Sequence, residues 1–159
     1  MSSTIGKVIA VSISKKKGIP KYNVPVVQLK KDWGIEGDVH AGKWHRQVSL
    51  LAMESIEKMK AKGLKVRPGA FSENITTEFI NIPQLHIGDM LEVGEARLEI
   101  TQIGKECHNR CAIYFTAGDC VMPREGIFAK VVKGGSIKVG TRIKVHESMQ
   151  SQTTETRHA

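Results

Sequence analysis

The chain has 159 residues, 40% hydrophobic and 25% charged, which suits one domain with a buried core and excludes a disordered or fibrous polymer. Lys and Arg number 24 against 16 Asp and Glu, a formal charge of +8 that favours anionic partners without choosing among them. No apolar stretch approaches the ~20 residues that span a bilayer, and the cations form neither a run of five nor an Arg-rich aromatic platform, which argues against membrane and nucleic-acid partners.

The expected elements are mostly strands. Lys7 to Ile13 alternates as a first strand and ends in the solvated turn Lys15-Lys16-Lys17-Gly18-Ile19-Pro20. Val24 to Leu29 reads as a second strand, with Pro25 pointing to an edge or a strand start. Gly34-Ile35-Glu36-Gly37-Asp38-Val39-His40-Ala41-Gly42 is a tight loop whose backbone can approach a ligand, or equally a turn in which Asp38 caps its own backbone. His40 and His45 are metal-ligand candidates there, although isolated loop histidines more often have no such role.

One helix is expected next. Met53, Ile56 and Met59 or Lys60 share a face, Glu54 and Lys58 are spaced as an ion pair, and Gly63 offers a C-terminal cap. In Pro68 to Thr77, Phe71 and Ile75 are core candidates. Asn74 between them needs a partner if buried, and its amide can either orient a ligand or satisfy a loop carbonyl. Leu91 to Ile100 reads as a hairpin about Gly94-Glu95, and Ile137 to Val145 repeats the pattern about Gly140-Thr141. Arg124 precedes a core-like run of Ile127, Phe128 and Val131, and is placed either to grip an anion or to pair with a carboxylate such as Glu125. A short helical turn after Cys111 is also expected, and the Ser/Gln/Thr-rich tail from 147 to 159 reads as disordered. The sum is a mainly β fold, an antiparallel barrel or sandwich with one good helix.

The cysteines carry the chemistry. Their odd number, three, suits free thiols or ligands in a reducing compartment, and with no signal peptide the expected location is the cytoplasm. Cys107 has Lys105, His108 and Arg110 within three positions, which favours thiolate, while Glu106 opposes it. Cys107, His108, Cys111 and Cys120 have an atypical spacing for zinc. Cys111 and Cys120 read as small buried hydrophobes.

In order, Gly37-Asp38-Val39-His40-Ala41-Gly42, Gln47-Val48-Ser49, Gly69 to Thr77, Leu85-His86-Ile87-Gly88-Asp89, Cys107, Arg124 to Ala129 and Gly134 to Gly140 resemble a MOSC domain over residues 5–146. The family is named after the C-terminal part of molybdenum cofactor sulfurases. The resemblance implies a barrel-like β fold that binds the molybdenum cofactor, a molybdopterin. It implies Cys107 as the hallmark cysteine, carrying a persulfide or ligating molybdenum. It also implies Asn74 and Arg124 as cofactor-binding positions. Lys105 and Arg110, cations beside Cys107, can hold phosphate or metal oxygens with Arg124, and Asp38 and His40 are further cofactor-binding candidates.

Glu106 stands where many relatives have proline, and Cys111 and Cys120 are not part of the hallmark. The chain is expected to hold no PLP-binding domain, so a cysteine desulfurase would supply sulfur in trans. The acceptor would be a molybdenum or tungsten enzyme, or a cofactor-synthesis protein. Two other readings remain open: a molybdenum-ligating reductase of N-hydroxylated compounds, and a non-enzymatic zinc-stapled binding module.

Overall fold

The computed structural model describes residues 5–80, 85–104 and 125–147. Its strands are β1 (Ile5–Ile13), β2 (Tyr22–Val24), β3 (Val26–Lys30), β4 (Gly34–Ile35), β5 (Val48–Ala52), β6 (Ile75–Glu78), β7 (Met90–Val93), β8 (Ala96–Ile103), β9 (Ile127–Lys133), β10 (Gly135–Lys138) and β11 (Arg142–His146), with one helix, α1 (Met53–Ala61), between β5 and β6. Seven strands close a barrel in the order β11-β7-β8-β9-β5-β6-β1, and β1 returns to β11. Closure removes the exposed edges that an open sheet would present. The mainly β expectation holds, as a barrel.

Alternation explains the barrel wall. Leu91 pairs with Leu98 and with Val145, and Val93 pairs with Ala96 and with Ile143, so aliphatic partners share the inner face of β7, β8 and β11. All six are buried. Fully burying such a side chain contributes about 1.5–3 kcal/mol. The β7–β8 hairpin turns at Gly94-Glu95 as its pattern predicts.

The second hairpin does not form. β10 pairs with β3, and β11 pairs with β7 and β1. The turn between them bonds outward instead: Val8 N donates to Thr141 O and Gly140 N donates to Val8 O. The chain therefore leaves a small sheet, β10-β3-β4, and enters the barrel at this corner. The small sheet sends Val27, Leu29, Ile35 and Ile137 into the barrel core.

Pro25 splits the expected second strand into β2 and β3. It has no N–H for a ladder, so β2 pairs with the end of β1 while β3 joins the small sheet.

β5 is buried on both faces. Its outward Leu51 joins Ile56 and Met59 of α1, with Phe71 and Phe128, in a second apolar cluster outside the barrel. β5 and β6 are the parallel pair, and α1 is their crossover. The helix ends as expected at Gly63, which has φ 92°. Gly63 N donates to Lys60 O and Leu64 N to Met59 O, a Schellman cap with Leu64 packed on the same cluster. The expected Glu54–Lys58 pair is replaced by longer-range bonds. Glu54 accepts from Phe79 N at 3.0 Å, and Lys58 reaches Glu125 at 3.0 Å. Exposed i,i+4 pairs are worth only a few tenths of a kcal/mol, so such partners compete easily.

Candidate functional site

The end of β1 anchors a buried polar hub. Lys21 is fully buried, and its ammonium donates to Ser14 Oγ at 3.1 Å, Asp38 Oδ1 at 2.8 Å and His40 Nδ1 at 2.9 Å. Three protons meet three acceptors, so the charge is compensated without water. Because the ammonium only donates, His40 Nδ1 accepts, and the neutral ring carries its proton on Nε2. Burial pushes the Lys21 pKa below its usual 10.5; the hydrogen bond and charge of Asp38, and then the charge of Glu73, oppose that shift.

Asp38 caps its loop as one of the two sequence readings expected. Its carboxylate accepts from Ser14 N at 3.0 Å and from His40 N at 3.1 Å. Asn74 lies on the other side of β1 and is also buried. Its Oδ1 accepts from Ser49 N at 3.0 Å, and its Nδ2 donates to Ser12 O at 3.1 Å. Both ends of this amide are spent stitching β1 to β5 just before β6 begins. Asp38, His40 and Asn74 are therefore gathered around one strand end, Ser12 to Ser14.

The loop before Asn74 is shaped by Glu73. Its carboxylate accepts from Gly69 N at 2.8 Å, Phe71 N at 3.1 Å and Thr76 Oγ1 at 3.0 Å. Burial raises its pKa above the usual 4.5, and those donors pull the other way. Gly69 has φ 93°, and a Cβ there would lie 2.5 Å from Lys21 O, so only glycine fits. Lys21 N donates to Gly69 O at 2.8 Å. Lys21 thus ties the Gly69 loop through its backbone and the Asp38 loop through its side chain.

A second locus lies where β8 meets β9. The ladder slips between Ile100 and Gln102, a bulge that frees Thr101. Thr101 Oγ1 bonds His45 O and, at 3.1 Å, Phe128 O. His45 Nε2 lies 2.9 Å from Gln102 Oε1, and Gln102 Nε2 donates to Gly104 O at 2.8 Å. Gly104 N donates to Gly126 O at 2.7 Å, so the chain leaves at Gly104 and returns at Gly126 through one closed gate. Glu125, beside that gate, accepts from Ser55 Oγ at 2.5 Å and from Lys58.

Lys105, Cys107, Arg110 and Arg124, together with His108, Cys111, Cys120 and the expected helical turn, lie outside the described residues. The gate fixes where their segment joins the barrel. Among the described residues, no group of His, Cys, Asp and Glu is arranged to hold a metal. His40 and His45 instead take separate partners, Lys21 and Gln102.

Two residues escaped the sequence reading. Lys21 follows the turn of three lysines and looks like another solvated one; only its tertiary acceptors mark it. Arg46 also stands at this second locus. Its guanidinium carbon is 5.4 Å from the Trp44 ring centre and 5.6 Å from that of Phe128. Its Nε is buried with no acceptor among the described residues. The Trp44-His45-Arg46 triplet was the available signal. An unmet donor of this kind fits an anionic cofactor.

The family model of the MOSC domain matches residues 37–144. The crystal structure of the YuaD protein from Bacillus subtilis superposes with a TM-score of 0.78 at 16% identity, covering 93% of this chain and 99% of that one. YiiM from Geobacillus stearothermophilus gives 0.65 at 18% identity, covering 89% and 75%, and YiiM from Escherichia coli gives 0.64 at 17% identity, covering 90% and 71%. At these identities the likeness is one of fold. No curated protein matches the chain by sequence.

Proposed function

The chain belongs to the MOSC domain family, known for binding the molybdenum cofactor, and from that premise we propose that it is a sulfur carrier acting through a persulfide on Cys107. The observation that supports this reading most is the Gly104–Gly126 gate. It joins the Cys107 segment to the barrel beside the bulge and the His45–Gln102 clasp. A reactive group in a segment whose flanking residues are anchored on a rigid scaffold suits a working site.

The step made by the chain is thiol–persulfide exchange. The Cys107 thiolate attacks the outer sulfur of a cysteine desulfurase persulfide. The new S–S bond forms on Cys107, the old one breaks, and the desulfurase leaves as thiolate. No net oxidant is needed. Lys105, His108 and Arg110 favour the attacking thiolate.

Lys105, Arg110 and Arg124 would hold the anionic cofactor through charge-assisted bonds. The cofactor, when bound, supplies the electrophilic molybdenum or tungsten centre that accepts sulfur. His40 is held at the same strand end through its Nδ1 contact with Lys21. Asp38 and Asn74 serve by holding the two loops in shape, since their polar atoms are engaged inside the fold.

The test is mass spectrometry after incubation with a cysteine desulfurase and free cysteine. The Cys107 peptide of the wild type should gain about 32 Da, one sulfur. Cys107→Ser should abolish the adduct, and Cys120→Ser should keep it. Equal persulfide loading of the Cys107→Ser protein overturns the carrier reading. Molybdenum retained through purification and lost in Cys107→Ser would favour the reductase reading instead.

A further inference from the structure

We infer that Arg46 is an oxyanion-binding residue on the outer wall of the barrel, with a phosphoryl group or a free tetrahedral oxyanion as its ligand. The first ground is an unmet donor. Arg46 Nε is buried and finds no acceptor among the described residues. A buried N–H without an acceptor costs about as much as a lost hydrogen bond, so folded proteins rarely keep one without a use. Among the described residues Arg46 makes no ion pair, while Arg97 pairs with Glu92 and Lys130 with Glu99.

The second ground is preorganisation. The guanidinium lies over the faces of Trp44 and Phe128. Stacking on aromatic faces fixes the plane of the fork and leaves its N–H edge for bidentate contact. The backbone is clamped on both sides. His45 O is held by Thr101, and Gln47 Oε1 accepts from Val131 N at 2.9 Å while its Nε2 reaches Asp32 at 3.3 Å. Arg46 is therefore carried by strands β8 and β9 and not by a free loop.

The third ground is place and charge. His45, next in the chain, is bonded to Gln102, which is bonded to the carbonyl of Gly104 at the gate of the Cys107 segment. Lys17 lies 6.0 Å from the centre of the same Trp44 ring, so a second cation faces the same locus. Two cations, with no carboxylate among the described residues on the guanidinium, favour an anion. The fork geometry selects a planar or tetrahedral array of oxygens.

This deepens the proposed reading and rests on it only for the ligand being part of, or chemically like, the cofactor. The experiment therefore reads binding and not sulfur loading. Inorganic phosphate, molybdate and phenyl phosphate are titrated into the full chain by calorimetry, with arginine Nε–H signals followed by NMR. Arg46 Nε–H should move and exchange more slowly with solvent as an oxyanion saturates. Arg46→Gln should weaken binding at least about 10-fold, and Arg46→Lys by less, because charge remains but the fork is gone. Arg97→Gln, a surface arginine elsewhere on the barrel, should bind as wild type.

Tighter phenyl phosphate would identify a phosphorylated ligand, and tighter molybdate a free oxyanion. Equal affinity in Arg46→Gln and wild type, an unmoved Nε–H at saturation, or no binding by the wild type overturns the inference. The persulfide mass of Cys107 is measured separately, so either idea can fail alone.

Discussion

The two loci treat buried polarity in opposite ways. Around Lys21, Asp38, Glu73 and Asn74 the polar atoms of the side chains meet partners within the fold. Around Arg46 a donor is taken out of water and given none among the described residues. A satisfied network in a low-dielectric interior specifies shape, and its disruption falls on stability. A preorganised but unsatisfied group contributes little to stability and leaves its bonding capacity for something else. Burial alone does not tell scaffold from site.

The sharpest way to break that contrast is Asp38→Ala. It leaves the Lys21 ammonium buried with its carboxylate removed and frees Ser14 N and His40 N. Loss of one partner from a buried pair costs about 3–5 kcal/mol. The midpoint of urea unfolding should fall accordingly; a change under about 1 kcal/mol would mean that water reaches the hub and that the pair is not buried in solution.

A smaller effect tests Glu73 through pH. Its folded pKa is raised, so the native state holds the proton more tightly than the unfolded chain. The stability this proton confers is complete below the ordinary carboxylate pKa of 4.5 and is lost as pH rises through the raised value. In that window wild-type stability should fall relative to Glu73→Gln, by at most about 1.4 kcal/mol per pH unit. Parallel stability–pH curves for the two proteins would show that the donors from Gly69, Phe71 and Thr76 cancel the effect of burial.

The smallest effect is expected at the other locus. Arg46→Gln removes the stacking on Trp44 and Phe128 but also the unmet Nε donor, so unfolding should shift by less than about 1 kcal/mol. A loss as large as that of Asp38→Ala would make Arg46 part of the scaffold and erase the contrast.

Much of the fold was legible because it is local. Alternation marked β1, β7 and β8. The Ile56 and Met59 stripe marked α1, Gly63 its end, and Pro25 a break. The β10–β11 hairpin was misread because both strands and the glycine turn are locally correct, while their partners are not. Val8 of β1 competes for the backbone groups of that turn, and nothing within residues 135–146 reveals it. The Glu54–Lys58 pair failed for the same reason, with Glu125 and the Phe79 backbone as the rivals.

At the site, the sequence singled out Asp38, His40 and Asn74 as polar residues in glycine-bearing loops, and the fold gathers them at one strand end. Lys21 and Arg46 were invisible for complementary reasons. Lys21 looks solvated until three distant acceptors surround it. Arg46 looks ordinary until its buried Nε is seen to have no acceptor among the described residues. By itself the sequence determined the family, the strand-rich class and the cysteine segment, because residue order and local periodicity are properties of the chain. Only the tertiary structure decided which polar groups are satisfied, because hydrogen-bond partners are chosen by proximity in space, and a closed barrel brings together residues that are far apart along the chain.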